Sequence, residues 1–326
     1  MRIVATADVP PVAREAFAPL GDIQVDGETG CALRDAEVLI VRGTRLDGAL
    51  IEEAASLRAI ARTGAGYDNL DVAAATRRGI PIVYAPDVGS RPVAEGTLAL
   101  MLAAAKRLRE LGDVVHTAAW ASRYEIVGLD LQGACLGIVG LGSIGRRVAA
   151  LCEALGMLVI AHDPAPARGD GAWFELVSLA ELVARADVIS LHCSLTERTR
   201  GLVDRAFLSR VKPGAVFVNV ARGELVESED ALADALVSGR LSAVALDVHP
   251  SEPPRADHRL YSDPRVICTP HSIGLTRRWN QDVFHALAQG VQSVLAGERP
   301  PNLLNPEAMG RASRSPALPR RTPRSR

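Results

Sequence analysis

The chain has 326 residues, a length that suggests about two domains, and 48% of its residues are apolar, which is enough for two buried cores. The formal charge of -1 excludes a general attraction for nucleic acid or anionic membranes, so any affinity for phosphate groups must come from a local site. The scattered cysteines form no C-x-x-C, the first residues lack the pattern of a signal peptide, and no apolar run is long enough to span a membrane, so we expect a cytoplasmic protein without a zinc ribbon or disulfide framework.

In chain order, the first four predicted strands are the apolar runs "RIVATAD", "EVLIVRG", "AIARTG" and "IPIVYAP". Helix-length segments such as "LDVAAATRRG" separate them, and this alternation is typical of a parallel sheet covered by helices. The next stretch, "PVAEGTLALMLAAAKRLREL", predicts one long helix that crosses between domains. The apolar side of that helix is predicted to consist of Leu98, Met101, Leu102, Ala105 and Leu108.

Six further strands are predicted after residue 134, namely "LGIVG", "LVIAHD", "ADVISLHC", "AVFVNV", "SAVALDV" and "RVICTP". Six is the number of strands in a complete doubly wound nucleotide-binding domain, so the fold class is α/β. A second long helix is predicted from residue 276 to about residue 296, after which "PPNLLNP" packs back on the first unit and makes that unit discontinuous. The final "RASRSPALPRRTPRSR" has little to bury, and we expect a disordered basic tail rather than a nucleic-acid-binding arm.

A glycine motif follows the first strand of the second group. In "GLGSIG", Gly140 makes the turn from strand to helix, Gly142 lets the backbone approach a pyrophosphate, and Gly145 allows close helix packing. An isolated match of this kind can be a glycine turn without a ligand. Here Asp163 ends the next strand, where a carboxylate can bind the two ribose hydroxyls of NAD, and this combination favours NAD. The same carboxylate would repel the 2′-phosphate of NADP, and the nearest following cation is Arg168.

Polar side chains follow three later strands of the same predicted sheet. Arg222 comes after "AVFVNV", Asp247 ends "SAVALDV" and is followed by Glu252, and His271 comes after "RVICTP". Each of them alone is as well explained by a surface cation, a solvated loop acid or a packed histidine. Because ligands bind outside the carboxyl ends of the strands in open α/β sheets, their joint placement predicts an active site there.

These motifs together resemble the D-isomer-specific 2-hydroxyacid dehydrogenase family. The similarity runs from about residue 37 to about residue 300, through "ARTGAGYDNLDVAAATRRGI", "RPVAEGTLALML", "GIVGLGSIG", "LHCSLTERTRGL", "VNVARGELV", "ALDVHPSEPP" and "TPHSIGLT". The resemblance implies two Rossmann-like doubly wound parallel-sheet domains, with the nucleotide domain inserted into a discontinuous substrate domain. We therefore expect a substrate domain at residues 1–98 and 278–310, an NAD-binding domain at residues 99–277, and a tail at residues 311–326.

The resemblance also implies the catalytic residues. Arg222 matches the arginine that binds the substrate carboxylate, His271 the acid/base histidine and Glu252 its acidic partner. Arginine can bind a carboxylate through two parallel hydrogen bonds, and a protonated histidine can donate to a carbonyl oxygen as a hydride arrives. Glu252 would orient the imidazole and favour its charged form. No metal is expected, since protein cations polarise the carbonyl.

Cofactor and substrate contacts follow from the same resemblance, with NAD as the cofactor. Asp247 is expected to bind the carboxamide end of the cofactor, and substrate is expected at Arg42 and at the loop that contains Gly64, Ala65 and Gly66. The full set of expected cofactor contacts is Gly140, Gly142, Ser143, Ile144, Gly145, Asp163, Cys193, Val220, Asp247 and Gly274.

Departures from the family pattern leave the substrate open. Gly89 stands where many members have an asparagine, Ser194 replaces a proline, and "SIGLTRR" replaces a segment that often holds small-residue glycine pairs. The leading hypothesis is an NAD-dependent oxidoreductase, expected to be a homodimer, that acts on small acids such as hydroxypyruvate or glyoxylate. One alternative is a 3-phosphoglycerate dehydrogenase without a regulatory domain, in which Arg42 binds the phosphate. A formate- or phosphonate-type dehydrogenase is less favoured, and the rival of another class is an NAD(H)-sensing binding protein.

Overall fold

The computed structural model describes residues 1–26, 31–166 and 174–312. The chain divides into two compact units. The first consists of Met1–Gly89 together with the residues from Thr276 onward, and the second of Ser90–Leu275. The boundaries between the units, after Gly89 and after Leu275, therefore lie shortly before the predicted boundaries after residues 98 and 277. The predicted tail lies outside the described residues from residue 313 on, and residues 311 and 312 end a short helix.

The first part of the chain forms a five-stranded parallel sheet in the order β2-β1-β3-β4-β5. Its strands are β1 (Ile3–Ala5), β2 (Ile23–Val25), β3 (Val38–Val41), β4 (Ala59–Arg62) and β5 (Ile82–Tyr84), and its helices are α1 (Pro11–Phe17), α2 (Cys31–Arg34), α3 (Gly48–Glu53) and α4 (Val72–Arg77). The sequence did not predict β2. This edge strand has three residues, of which only Ile23 is fully buried, so it carries no apolar run.

The second unit contains a seven-stranded parallel sheet in the order β12-β11-β10-β9-β6-β7-β8. Its strands are β6 (Cys135–Val139), β7 (Leu158–His162), β8 (Glu175–Leu176), β9 (Val188–Leu191), β10 (Ala215–Asn219), β11 (Leu241–Leu246) and β12 (Val266–Cys268). The order runs outward from β6 in both directions, which is the doubly wound pattern. All six predicted strands are present, and the two-residue β8 extends the sheet at its edge.

Helices cover both faces of this second sheet. They are α5 (Ser90–Ala105), α6 (Leu108–His116), α7 (Ser143–Ala154), α8 (Leu179–Arg185), α9 (Arg205–Arg210), α10 (Glu229–Val237) and α11 (Arg259–Ser262), with short 3-10 turns at Trp120–Tyr124 and Gly223–Leu225. The prediction of two Rossmann-like parallel-sheet domains is confirmed as a fold class.

The prediction of one uninterrupted helix through residues 92–111 is wrong. Arg107 has a φ of +54°, in the left-handed region that ends a right-handed helix, and its guanidinium binds Glu110 at 2.5 and 2.6 Å. The carbonyl of Ala105 accepts a hydrogen bond from the backbone of Leu129 at 2.8 Å, so a later segment satisfies the end of α5. Leu108, expected on the apolar side, starts a separate helix and is 54% exposed.

The chain returns to the first unit through α12 (Arg277–Leu295), followed by a 3-10 turn at Pro306–Ala308 and α13 (Met309–Ala312). The hydroxyl of Thr276 accepts a hydrogen bond from the backbone of Trp279 at 3.1 Å and so caps the start of α12. Val283, Phe284 and Leu287 of α12 are fully buried in the core that includes β1, β3 and β4. This apolar face is what holds the returning segment on the first sheet.

Candidate active site

The glycine turn after β6 has little room for any other residue. Gly140 has a φ of +99°, and a Cβ there would lie 2.6 Å from the backbone nitrogen of Cys193. A Cβ on Gly145 would collide with the carbonyl oxygen of Gly140. At Gly142, by contrast, a Cβ would meet no atom of the described residues within 4 Å, and none of their side chains caps the N-terminus of α7, which starts there. The open side of the turn and the uncapped amides are features that bind a pyrophosphate.

Asp163 follows β7 and is bonded to the same turn. Its Oδ2 accepts a hydrogen bond from the backbone of Leu141 at 2.7 Å, and its Oδ1 accepts one from Ala165 at 2.8 Å. Because a carboxylate has about four acceptor positions, it keeps capacity for two ribose hydroxyls. Arg168, which bears on the choice between NAD and NADP, lies outside the described residues.

The other expected cofactor contacts lie in the first turn of α7 or at carboxyl ends of strands. Ser143 and Ile144 open α7, Cys193 follows β9, and Val220 follows β10. Burial raises the pKa of Cys193 to about 11, so its thiol is neutral near pH 7. A Cβ on Gly274 would lie 2.6 Å from a methyl group of Val93, so this position is also packed tightly. Their contacts with a cofactor stay predictions.

Glu252 and His271 form a hydrogen-bonded pair. The Nδ1 atom of His271 lies 2.9 Å from Oε2 and 3.1 Å from Oε1 of Glu252, and both side chains are about half exposed. Burial alone would raise the pKa of Glu252, but the hydrogen bond and charge of His271, together with those of His249, outweigh it, so this pKa lies below its ordinary value. Since Nδ1 faces the carboxylate, Nε2 is the ring nitrogen that remains for a substrate.

A buried carboxylate holds the loop that carries His271. Asp247 is 3% exposed, and its Oδ1 accepts hydrogen bonds from the hydroxyl of Thr269 at 2.6 Å and from the backbones of Ser272 at 2.9 Å and Ile273 at 3.1 Å. His271 itself has a φ of +51°, an uncommon conformation for a residue with a side chain. Its backbone donates to the Asp247 carbonyl at 2.7 Å, so the surrounding bonds stabilise that conformation. The carboxamide contact of Asp247 stays a prediction.

Arg222 is held in a tight turn after β10. The buried side chain of Asn219 donates to the carbonyl of Arg222 at 2.8 Å and accepts from the backbone of Ala221 at 3.1 Å. A Cβ on Gly223 would collide with the carbonyl group of His249, so the turn packs directly on the segment after β11. Sequence reasoning missed Asn219, although a single polar residue at the end of the run "AVFVN" was a signal.

The expected substrate contacts in the first unit follow β3 and β4. Arg42 comes directly after β3 and is partly buried; its Nη1 donates to the carbonyl of Asp8 at 2.5 Å. Burial lowers the pKa of Arg42, opposed by the charge of Asp8, and the group stays charged near pH 7. Ala65 is exposed and Gly66 partly buried in the loop after β4.

A second arginine, which the sequence interpretation missed, supports that loop. Arg62 is the last residue of β4 and only 8% exposed, and its Nε donates to the carbonyl of Gly66 at 2.8 Å. A Cβ on Gly64 would lie 2.9 Å from Nη2 of Arg62. The charged residue at the end of the apolar run "AIAR" was the available signal.

The position of Gly89, where many family members have an asparagine, faces an aromatic side chain. A Cβ on Gly89 would lie 3.3 Å from Nε1 of Trp279, in the first turn of α12. A Cβ at this position would require the indole to shift by a few tenths of an ångström.

The fold and the cluster around Gly140 are those of a dinucleotide-binding α/β protein, in which a hydrogen-bonded histidine and glutamate lie at the strand ends. The sequence profile of the D-isomer specific 2-hydroxyacid dehydrogenase, NAD binding domain, matches residues 98–272. A D-3-phosphoglycerate dehydrogenase of Mycobacterium leprae is 40% identical over 93% of this chain and 58% of its own length, so the chain spans little more than half of that relative.

Two further relatives match along nearly their whole length. A glyoxylate reductase of Aeropyrum pernix is 35% identical over 94% of this chain and 97% of its own. The crystal structure of a D-lactate dehydrogenase of Aquifex aeolicus, in complex with NAD and lactic acid, has a TM-score of 0.84 at 27% identity and covers 94% of this chain and 99% of its own. The chain belongs to the D-isomer specific 2-hydroxyacid dehydrogenase family, a family of NAD-dependent oxidoreductases, which confirms the family predicted from its motifs.

The described part of the chain offers neither a membrane span nor a metal cluster. Within residues 1–26, 31–166 and 174–312, none of the helices combines the length and the apolar composition that a membrane crossing requires. In the same part of the chain, no three His, Cys, Asp or Glu side chains gather closely enough to bind a metal ion.

Proposed function

We propose that this protein catalyses the NAD-dependent interconversion of small D-2-hydroxy acids and 2-keto acids. The observation that carries the proposal is the hydrogen-bonded pair of Glu252 and His271, which follows β11 and β12, while Arg222 follows the neighbouring strand β10. A cation for a carboxylate and an acid/base pair thus lie at the carboxyl ends of three adjacent strands, where open α/β sheets bind ligands.

Each of the three side chains has one chemical task in this proposal. Arg222 binds the substrate carboxylate and so fixes the adjacent C2 atom. His271 donates a proton from Nε2 to the carbonyl oxygen in reduction and takes the hydroxyl proton in oxidation. Glu252 stays ionised, holds Nδ1 and stabilises the protonated ring.

NAD fits the turn after β6, because Gly142 leaves its approach open and Asp163 presents a carboxylate held by the turn itself. Bound there, NAD supplies the hydride acceptor for oxidation and, when reduced, the hydride donor. The carboxylate of Asp163 supports a preference for NAD over NADP, because it would repel a 2′-phosphate.

For the substrate we favour small unphosphorylated acids of the hydroxypyruvate or glyoxylate type. This choice is supported by the full-length match to a glyoxylate reductase and by the hydrogen bond that ties Arg42 to the carbonyl of Asp8. The 40% identity to a 3-phosphoglycerate dehydrogenase supports the alternative, in which the charge of Arg42 binds a phosphate.

The deciding experiment is a panel of kcat/KM values for glyoxylate, hydroxypyruvate, 3-phosphohydroxypyruvate and pyruvate, with NADH and NADPH, repeated for Arg42→Ala. We expect unphosphorylated substrates and NADH to be preferred, and Arg42→Ala to leave the ratios between substrates unchanged. A preference for the phosphorylated acid that Arg42→Ala removes would establish the alternative. Tight binding of NADH without turnover of any acid would instead indicate an NAD(H)-sensing protein.

We also propose a homodimer in the cytoplasm. Support for the dimer comes from residues 108–127, which expose several large apolar side chains: Leu108, Val115, Trp120, Tyr124 and Val127. Aromatic residues and arginine are enriched in protein interfaces, and Arg123 stacks on both Trp120 and Tyr124. The free thiols of Cys135, Cys152, Cys193 and Cys268 fit a reducing compartment.

A further inference from the structure

His249 is a buried histidine that the proposed mechanism does not use. It follows β11 in "ALDVHP", and only 4% of its surface is exposed. A histidine so deeply buried needs hydrogen-bond partners for its ring nitrogens.

Both ring nitrogens of His249 have partners. Nε2 lies 3.1 Å from the carbonyl of Thr269, and Nδ1 lies 3.0 Å from the hydroxyl oxygen of Tyr261, which is also hydrogen-bonded to Glu229. Because a carbonyl can only accept, Nε2 must carry a proton. The ring is therefore fixed between the loop before His271 on one side and Tyr261 of α11 on the other.

The same residue contacts the surroundings of all three proposed catalytic side chains. The backbone of His249 donates to Oε1 of Glu252 at 3.2 Å. The Thr269 carbonyl that its ring bonds also accepts from the backbone of His271 at 3.1 Å. The turn of Arg222 packs against the His249 carbonyl through Gly223. A shift of His249 would thus move the carboxylate, the imidazole and the guanidinium relative to one another.

We propose that His249 is a positioning residue, which holds Glu252 and His271 in hydrogen-bonding geometry through its bond to Thr269 and its anchorage on Tyr261 and Glu229. Only the kinetic effect expected of this role rests on the proposed function. The geometry that it describes exists in the protein whether or not the protein turns over an acid.

The kinetic test compares His249→Leu, which removes both ring bonds, with His249→Gln, whose amide can still donate to the Thr269 carbonyl. We expect kcat to fall about 10- to 100-fold in His249→Leu, because a misplacement of a reacting group by about 1 Å can cost about 100-fold, with the Kd of NADH little changed. The variant's pH profile of kcat should narrow, and His249→Gln should recover most of the loss. The matched control is His258→Asn, because His258 also lies beside Tyr261 but caps α11 and makes no bond to the pair.

A second readout does not depend on activity. The pKa of Glu252, measured by ¹³C NMR of its carboxyl group and assigned with Glu252→Gln, should rise in His249→Leu and stay unchanged in His258→Asn. If wild-type protein turns over no acid, the proposed function fails, and this pKa still decides the positioning proposal.

Three results would overturn the proposal. One is a folded His249→Leu protein with wild-type kcat, pH profile and Glu252 pKa. Another is an equal loss in His249→Gln and His249→Leu, because the bond to Thr269 would then not matter. Should His249→Leu fail to fold, Tyr261→Phe decides, since it removes only the hydroxyl that anchors Nδ1. We expect a smaller rise of the Glu252 pKa in that variant, and no change would contradict us.

Discussion

At the scale of single residues, the proposed chemistry depends on which nitrogen of His271 faces which partner. Glu252 lies within 3.1 Å of Nδ1 through both of its oxygens, and Nε2 has no hydrogen-bond partner among the described residues. The ring conformation is maintained by the loop, which Asp247 holds at Thr269, Ser272 and Ile273. The proposed acid/base atom therefore lies on a partly exposed loop that the buried Asp247 holds by hydrogen bonds, and catalysis requires such a fixed position.

Replacing the acid/base group should separate catalysis from cofactor binding. We expect His271→Gln to lower kcat by about 10²- to 10⁴-fold, because general acid/base catalysis typically contributes that much. The Kd of NADH, measured by fluorescence titration, should stay nearly unchanged, since His271 lies far along the sheet from the glycine turn. His285→Gln, on the exposed side of α12, is the control. A near-wild-type kcat in His271→Gln would refute the role of this residue.

The pairing of Glu252 with His271 predicts a particular pH dependence. Since the pKa of Glu252 lies below its ordinary value, the carboxylate becomes protonated, and the ionic pair is lost, only at a lower pH than for an unperturbed glutamate. In Glu252→Gln no ionised partner exists at any pH. We therefore expect a pH profile of kcat/KM that is narrower than in wild type, with a smaller loss of maximum rate than in His271→Gln. Superimposable profiles would count against the pairing.

At the scale of elements, the site is built where parallel strands end, and the stability of each unit rests on helices that bury one face. In the first unit, α12 contributes Val283, Phe284 and Leu287 to the core, although the whole second unit separates it in sequence from β5, the nearest strand of that sheet. The start of α12 is fixed by the Thr276 hydroxyl. Two arginines in its first turn oppose the helix dipole, so this cap has no acidic support.

Removal of that cap should destabilise the first unit and leave the hydrogen bonds between Glu252 and His271 in place. We expect Thr276→Ala to lower the free energy of unfolding by about 1 kcal/mol, because it leaves the Trp279 amide without its acceptor. Thr276→Ser keeps the hydroxyl and should retain most of the stability. Chemical denaturation of the three proteins measures the effect, and an equal loss in both variants would show that the Thr276 methyl group, not the cap, stabilises the helix.

At the scale of the whole molecule, several large apolar side chains are exposed within one segment of the second unit, residues 108–127. Trp120 is 60% and Tyr124 is 76% exposed, values that are costly for large aromatic residues in contact with water. An interface between two copies would remove this cost and places the aromatic residues as its anchors.

The proposed dimer predicts a change of mass on substitution in this segment. Wild-type protein should elute as a dimer in size-exclusion chromatography with light scattering, and the double variant Trp120→Ser, Tyr124→Ser should be a monomer. Val237→Ser alters a side chain that is 77% exposed on α10, outside the segment, and should leave the dimer intact. A monomeric wild type would disprove the proposal.

Local sequence was sufficient for those features that neighbouring residues encode. The long apolar runs of β3, β6 and β10 predicted strands because burial on both faces requires them. The spacing of Gly140, Gly142 and Gly145 predicted the dinucleotide turn because each glycine has its own task there, namely the tight turn, the open approach or the close packing of the helix. The same reasoning placed Arg222, Glu252 and His271 at strand ends, since the topology of a parallel sheet brings such ends to one edge.

Contacts between distant residues decided the rest. The edge strands β2 and β8 are too short to carry a pattern and exist because a neighbouring strand offers them hydrogen bonds. The break before α6 depends on the bond from Leu129 to Ala105, and no periodicity within the helix contains that information. The bonds of His249 to Tyr261 and Thr269 join residues 12 and 20 positions away, so only the folded chain shows that this histidine is bonded to the loop before His271. A linear pattern specifies which side of an element is buried, whereas the partner of a buried polar group is specified by packing in three dimensions.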